Sequence, residues 1–132
     1  MIAVAIALVV MGVAIATIWT LDIVRAEKID ASTGRVRARD PGDGSPMLPH
    51  WVVEYGTAFA LIGGGVGLLL DQEWSIVVAA YGAGMLTYTS VNSLGWVLAD
   101  RSRMAYGVPM IAGAVVGIIT LIALVAHVNG PA

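Results

Sequence analysis

Cysteine is absent from the 132 residues of this chain. Disulfides, thiolate nucleophiles and cysteine-held metals are thereby excluded, while the redox compartment stays open. Charge is scarce too. Asp, Glu, Lys and Arg make up 12% of the chain, against ~25% in ordinary soluble domains. Enzyme signatures are also missing: no HExxH, GxSxG or GxxxxGKS/T pattern occurs, and no set of His residues converges. Gly63-Gly64-Gly65-Val66-Gly67 has the glycines of a phosphate loop, but it lies in an apolar run with no lysine after it. Helix packing accounts for it better. With a net charge of −2 and only three alternating arginines in its favour, nucleic-acid binding has no support either. The expectation is a protein that is not an enzyme and carries no metal and no cofactor.

What the chain has in abundance is apolar sequence. Hydrophobic residues make up 58% of it, and its mean hydropathy is +0.86. The apolar residues form four runs, at about 2–24, 48–70, 74–98 and 105–128. Each is near the ~20 residues that a helix needs to cross a hydrocarbon layer. None carries the polar stripe that a helix of a soluble bundle would show. The expected fold class is therefore an all-α integral membrane protein. Residues 1–132 would form a single membrane domain of four transmembrane helices in an antiparallel bundle, with a cytoplasmic loop at about 25–47.

Orientation follows from the basic residues. All seven Lys and Arg lie in the first and third connections, Arg35, Arg37 and Arg39 in the first and Arg101 and Arg103 in the third among them. The second connection, Asp71-Gln72-Glu73, has none. Both termini are thus expected outside, in a membrane of the prokaryotic cytoplasmic (inner) type. Trp19, Trp51, Trp74 and Trp96 stand near the expected span ends, where amphipathic rings anchor at headgroups. The first run lacks a basic n-region and an A-x-A cleavage site, so it reads as a retained helix rather than a signal peptide.

Trp19-Thr20-Leu21-Asp22 echoes Trp96-Val97-Leu98-Ala99-Asp100, and Tyr55-Gly56 echoes Tyr106-Gly107. Each Tyr-Gly is followed by a Gly-xxx-Gly, Gly63/Gly67 and Gly113/Gly117. A parallel duplication of a two-helix hairpin would leave this pattern, and so would chance. Lipid provides no hydrophobic force between helices, so small residues must let backbones approach. Gly56, Ala60 and Gly64 recur along one face of the second run, with Gly63 and Gly67 on a neighbouring face. Small residues on more than one face suggest that this helix is central, and Gly113 and Gly117 give the fourth run a similar face.

Glu54 is the one ionisable residue clearly inside an expected span. At 1.5 Å per residue it lies roughly 9 Å deep. A carboxylate there is costly and by default marks a candidate site. Asn92 and Ser93 fall at similar depth, with Thr89 a turn further in, Tyr88 beside it and Thr17 of the first run nearby. Such a lining suits a proton, a cation or a small cationic solute. The structural reading is equally concrete: Glu54 pairs with Arg101 or Arg103, or binds helix two to Asn92. His50 and His127 lie at opposite ends of their helices and cannot share a metal.

Two functions fit these residues. One is a small polytopic protein that acts by assembling in the bilayer, as an accessory or structural subunit or as a self-assembling component. Its partners would be membrane lipids and either itself or other membrane subunits. The other is a homo-oligomeric small transporter or channel that uses Glu54.

Overall fold

The computed structural model describes residues 1–33, 47–99, 104 and 106–130, and of residues 22–23, 25–33, 47–50, 96 and 99 the backbone alone. Among the described residues every regular element is a helix: α1 (Ile2–Thr33), α2 (Met47–Leu69), α3 (Ser75–Ala99) and α4 (Gly107–Val128). Three of them are long and apolar enough to cross a membrane, over Ile2–Leu21 of α1, Trp51–Leu69 of α2 and Gly107–Val128 of α4. Four such helices were expected. α3 has the length but not the apolarity, because Tyr81, Thr87, Tyr88, Thr89, Ser90, Asn92 and Ser93 dilute its aliphatic residues. The arginines at 35, 37, 39, 101 and 103 lie outside the described residues.

The helix ends have local causes. α1 runs on past its apolar part because Ala26, Glu27, Lys28 and Ala31 are good helix formers. Pro49 and Pro109 stand in the first turns of α2 and α4, where a missing N–H costs no hydrogen bond. α2 stops in a Schellman-type turn. There the N–H of Gln72 donates to the carbonyl of Gly67 at 2.9 Å, and that of Asp71 to the carbonyl of Leu68 at 3.4 Å. Asp71 takes the left-handed position, with φ 50°. At the end of α4 the side-chain amide of Asn129 donates to the carbonyl of Val125 at 2.8 Å, joining its own backbone N–H there.

The helices form a bundle in which α1 packs on α2, α2 on α3 and α3 on α4, whereas α1 and α4 barely meet. α2 is the most enclosed of the three apolar helices. Of its apolar stretch 44% lies inside the fold, against 17% for α1 and 22% for α4. Glycines make the contacts close. A Cβ built on Gly64 would lie 2.6 Å from the backbone N of Ala79, and one on Gly82 would lie 3.0 Å from the backbone N of Leu61. On the other side of α2, a Cβ on Gly12 would lie 2.7 Å from the Ala58 carbonyl, and one on Gly65 the same distance from the Ala5 carbonyl. Gly117 of α4 approaches the Ala83 carbonyl of α3 in the same way, at 2.8 Å. Leu8, Leu61, Ala79, Leu86 and Leu124, drawn from all four helices, form the apolar core.

Candidate functional site

Glu54 is 5% exposed, enclosed by the chain itself. Helical spacing aligns it with Ala58, Leu61 and Gly65 on one face of α2. These residues touch α1 at Gly12 and Ala5 and α3 at Gly82. The carboxyl group therefore lies on the side of α2 held between α1 and α3. The α2–α3 contacts run Gly67 to Ser75, Gly64 to Ala79 and Leu61 to Gly82, one number falling as the other rises. Two helical turns further along the same register, Thr89 comes abreast of Glu54.

Thr57, Thr89 and Ser90 are buried in this half of the interior, and Ser93 is half-buried. The polar half of the interior lies around Glu54, while the half around Leu8, Ala79 and Leu124 is mostly apolar, with Ser75 and Thr120 buried in it. Two hydroxyl protons of the polar half are committed. Thr57 Oγ1 donates to the Val53 carbonyl at 2.8 Å, and Thr89 Oγ1 to the Leu86 carbonyl at 3.4 Å. Both hydroxyls keep lone pairs and can still accept hydrogen bonds. Glu54 itself interacts within the fold. One turn before it, the indole Nε1–H of Trp51 is buried and has no acceptor among the described residues.

A second polar link joins α1 to α2 near the same level. The hydroxyls of Thr20 and Tyr55 are 2.7 Å apart, and Thr20 also donates to the Ala16 carbonyl at 2.7 Å. A hydroxyl has one proton, so Tyr55 is the donor to Thr20. The chain Tyr55 to Thr20 to Ala16 is polarised in one direction.

The other expected members of the layer lie elsewhere. Tyr88 is 68% exposed, and Asn92 and Thr17 are also exposed. Thr17 donates to the Val13 carbonyl at 2.8 Å, along its own helix. One broad polar face on α3 is therefore two. Thr89 and Ser90 turn inward, while Tyr88 and Asn92 turn outward with Tyr81, Gly84 and Gly95. Ser90 and Thr57 were not singled out from the sequence. The available signal was their position, one residue from Thr89 and one turn from Glu54.

The expected packing glycines divide in the same way. Gly64, Gly67, Gly113 and Gly117 meet neighbouring helices, Gly113 at Ser90 and Gly117 at Thr87, and Ala60 lies against Gly82. Among the described residues, a Cβ on Gly56 or Gly63 would meet nothing within 4 Å, and the same holds at Gly84 and Gly95 of α3. Gly12, Gly65 and Gly82, not part of the expected set, also meet neighbouring helices, with a Cβ at 2.7, 2.7 and 3.0 Å from the nearest atom.

Comparison with protein-family models, with curated proteins and with solved structures gave no match.

Proposed function

We propose that this protein is an integral membrane component that acts by assembling with other helices inside the bilayer, as a self-assembling unit or as a subunit of a larger membrane complex. In this reading all four helices span. They are antiparallel, both termini lie outside, and the basic first and third connections lie on the cytoplasmic side of a prokaryotic inner membrane. The falling-against-rising residue numbers of the helix contacts support the antiparallel arrangement. The confinement of all seven Lys and Arg to the stretch between the apolar parts of α1 and α2 and to the α3–α4 connection supports the orientation. Membrane lipids are the solvent, and the protein catalyses no reaction. The paired Tyr-Gly and Gly-xxx-Gly echoes are compatible with a duplicated hairpin.

The observation that carries the assembly reading is the outward face of α3. Tyr88 sits near the middle of a 25-residue helix and is 68% exposed, with Asn92 one turn further on. In a monomer that face would meet acyl chains. An amide or hydroxyl moved from water into hydrocarbon without a hydrogen bond costs roughly 4–8 kcal/mol, so polar groups in spans face protein or water. A neighbouring helix over this face removes the cost. It also brings backbone against Gly84 and Gly95, where close approach gains packing contacts.

A second reading rests on the polar half of the interior. Glu54, with acceptor hydroxyls at Thr57 and Thr89 and a Trp51 N–H that has no acceptor among the described residues, is the lining expected of a transporter or channel for a proton, a cation or a small cationic solute. In that case Glu54→Gln abolishes flux in proteoliposomes while the fold and the oligomer persist.

Gentle extraction from the membrane followed by native mass spectrometry tests the assembly reading. A homo-oligomer, or stoichiometric copurification with other membrane proteins, is the expected result. A monomer that keeps its lipids and recruits nothing would overturn it.

A further inference from the structure

Resting on the assembly reading, we propose that the outward face of α2 and α3 is a two-fold interface with a second copy of this same chain. Between the helix ends the face is uncharged, since α3 contains no Asp, Glu, Lys or Arg and the single carboxylate of α2, Glu54, is buried. Nothing on it calls for a partner of opposite charge. Its polar groups, the Tyr81 and Tyr88 hydroxyls and the Asn92 carboxamide, each donate and accept hydrogen bonds. Each finds its electrostatic complement in its own image. That is the requirement of an isologous interface, where one patch faces itself.

Shape points the same way. Tyr81, Gly84, Tyr88, Val91 and Gly95 follow one another at alternating steps of three and four residues, the spacing of a seam between supercoiled helices. Bulky rings thus alternate with gaps. Tyr81 and Tyr88 are both mostly exposed, and nothing among the described residues lies within 4 Å of a Cβ built at Gly84 or Gly95. α2 continues the surface with the same alternation, Gly56, Phe59, Gly63, and its close contact at Gly64 and Ala79 holds the two stripes side by side. The outward faces of α1 and α4 have no such pattern.

A single orientation in the membrane makes the two copies parallel, with the two-fold axis along the membrane normal. Each residue of α3 then meets its own image at equal depth. Asn92 pairs with Asn92 of the second copy, amide to carbonyl in both directions, and Tyr88 pairs with its image hydroxyl to hydroxyl. Each Tyr88 ring also lies against the Gly84 gap one turn away on the facing helix.

The test uses the cysteine-free full chain in its membrane, with one thiol introduced at a time: Gly84→Cys, Val91→Cys and, on the outward face of α4, Ile118→Cys. Gly84→Cys fills open space and leaves the packing of the single chain undisturbed. Mild oxidation, gel separation and mass determination follow. Disulfides form only where Cα atoms come within about 7 Å, so the proposal predicts about tenfold more linked homodimer at 84 or 91 than at 118. Equal yields at all three positions, or linkage at 118 alone, would overturn it. Linkage of positions 84 or 91 to a different protein would also overturn the second copy, while leaving the assembly reading intact. No linkage anywhere, with a monomer in native mass spectrometry, would remove both.

Discussion

The outward surfaces of α1 and α4 differ from the stripe that Phe59, Tyr81 and Tyr88 form on α2 and α3. Ile6, Val10 and Val13 of α1 and Ile111, Ile118 and Ile122 of α4 are exposed, branched and aliphatic. Such a surface asks nothing of its surroundings but hydrocarbon. Beside valines and leucines of the same kind, α2 and α3 expose Phe59, Tyr81 and Tyr88 between glycines whose outward side touches nothing among the described residues. The lesson is that exposure alone does not separate a face made for lipid from one made for protein. Polarity at mid-span and gaps in the surface do, because acyl chains satisfy neither hydrogen bonds nor the packing of a fixed cleft.

The strongest way to break this comparison is to place the same bulk on adjacent glycines. Gly64→Leu drives its Cβ against the backbone of Ala79, which cannot move aside as a side-chain tip would. Overpacking of this kind costs about 1–3 kcal/mol, or more when backbone must shift. Denaturation in mild detergent should show a destabilised or unfolded chain. Gly63→Leu, one residue earlier, meets open space. Its effect on the stability of the single chain should stay within about 0.5 kcal/mol, while the homodimer fraction falls. If both substitutions unfold the chain alike, the division of the glycines is wrong.

A gentler comparison sets one hydroxyl against one methylated surface. Tyr88→Phe removes only an oxygen from the α3 face and should weaken association by about 0.6 kcal/mol, the mean of measured interhelical hydrogen bonds in a membrane protein. Ile119→Ala, on the outward side of α4, should leave association unchanged; dissociation followed by energy transfer between labelled copies measures both. Smaller for association still is Thr20→Val. It breaks the Tyr55–Thr20 bond within the chain and should lower fold stability by about 0.6 kcal/mol in detergent, with the dimer fraction constant.

Helix positions were legible because long apolar runs have few alternatives. The expected 48–70 and 74–98 became Met47–Leu69 and Ser75–Ala99, and 105–128 became Gly107–Val128. α1 exceeds its expected 2–24 and ends at Thr33, since helix propensity outlasts hydrophobicity there. Glu54 stood out as a carboxylate in an apolar run, and it is buried. Rotation about the helix axes was not legible. A helix apolar on all sides has no moment to show which side turns in. Tyr88 and Thr89 are neighbours in sequence, yet a step of about 100° puts one outside and the other inside. The glycines hid their roles for the same reason. Gly63 and Gly64 look alike in sequence, and only the positions of α1 and α3 tell them apart.

The most direct test of the account is lipid exposure measured position by position. Nitroxide labels on single cysteines at Val13, Ile118, Phe59 and Val91, in bilayers, report collision with oxygen dissolved among the acyl chains. High accessibility on α1 and α4 with low accessibility at Phe59 and Val91 is the predicted result. Equal, high accessibility at all four would mean that α2 and α3 face lipid like their neighbours, and the assembly reading would fall with it.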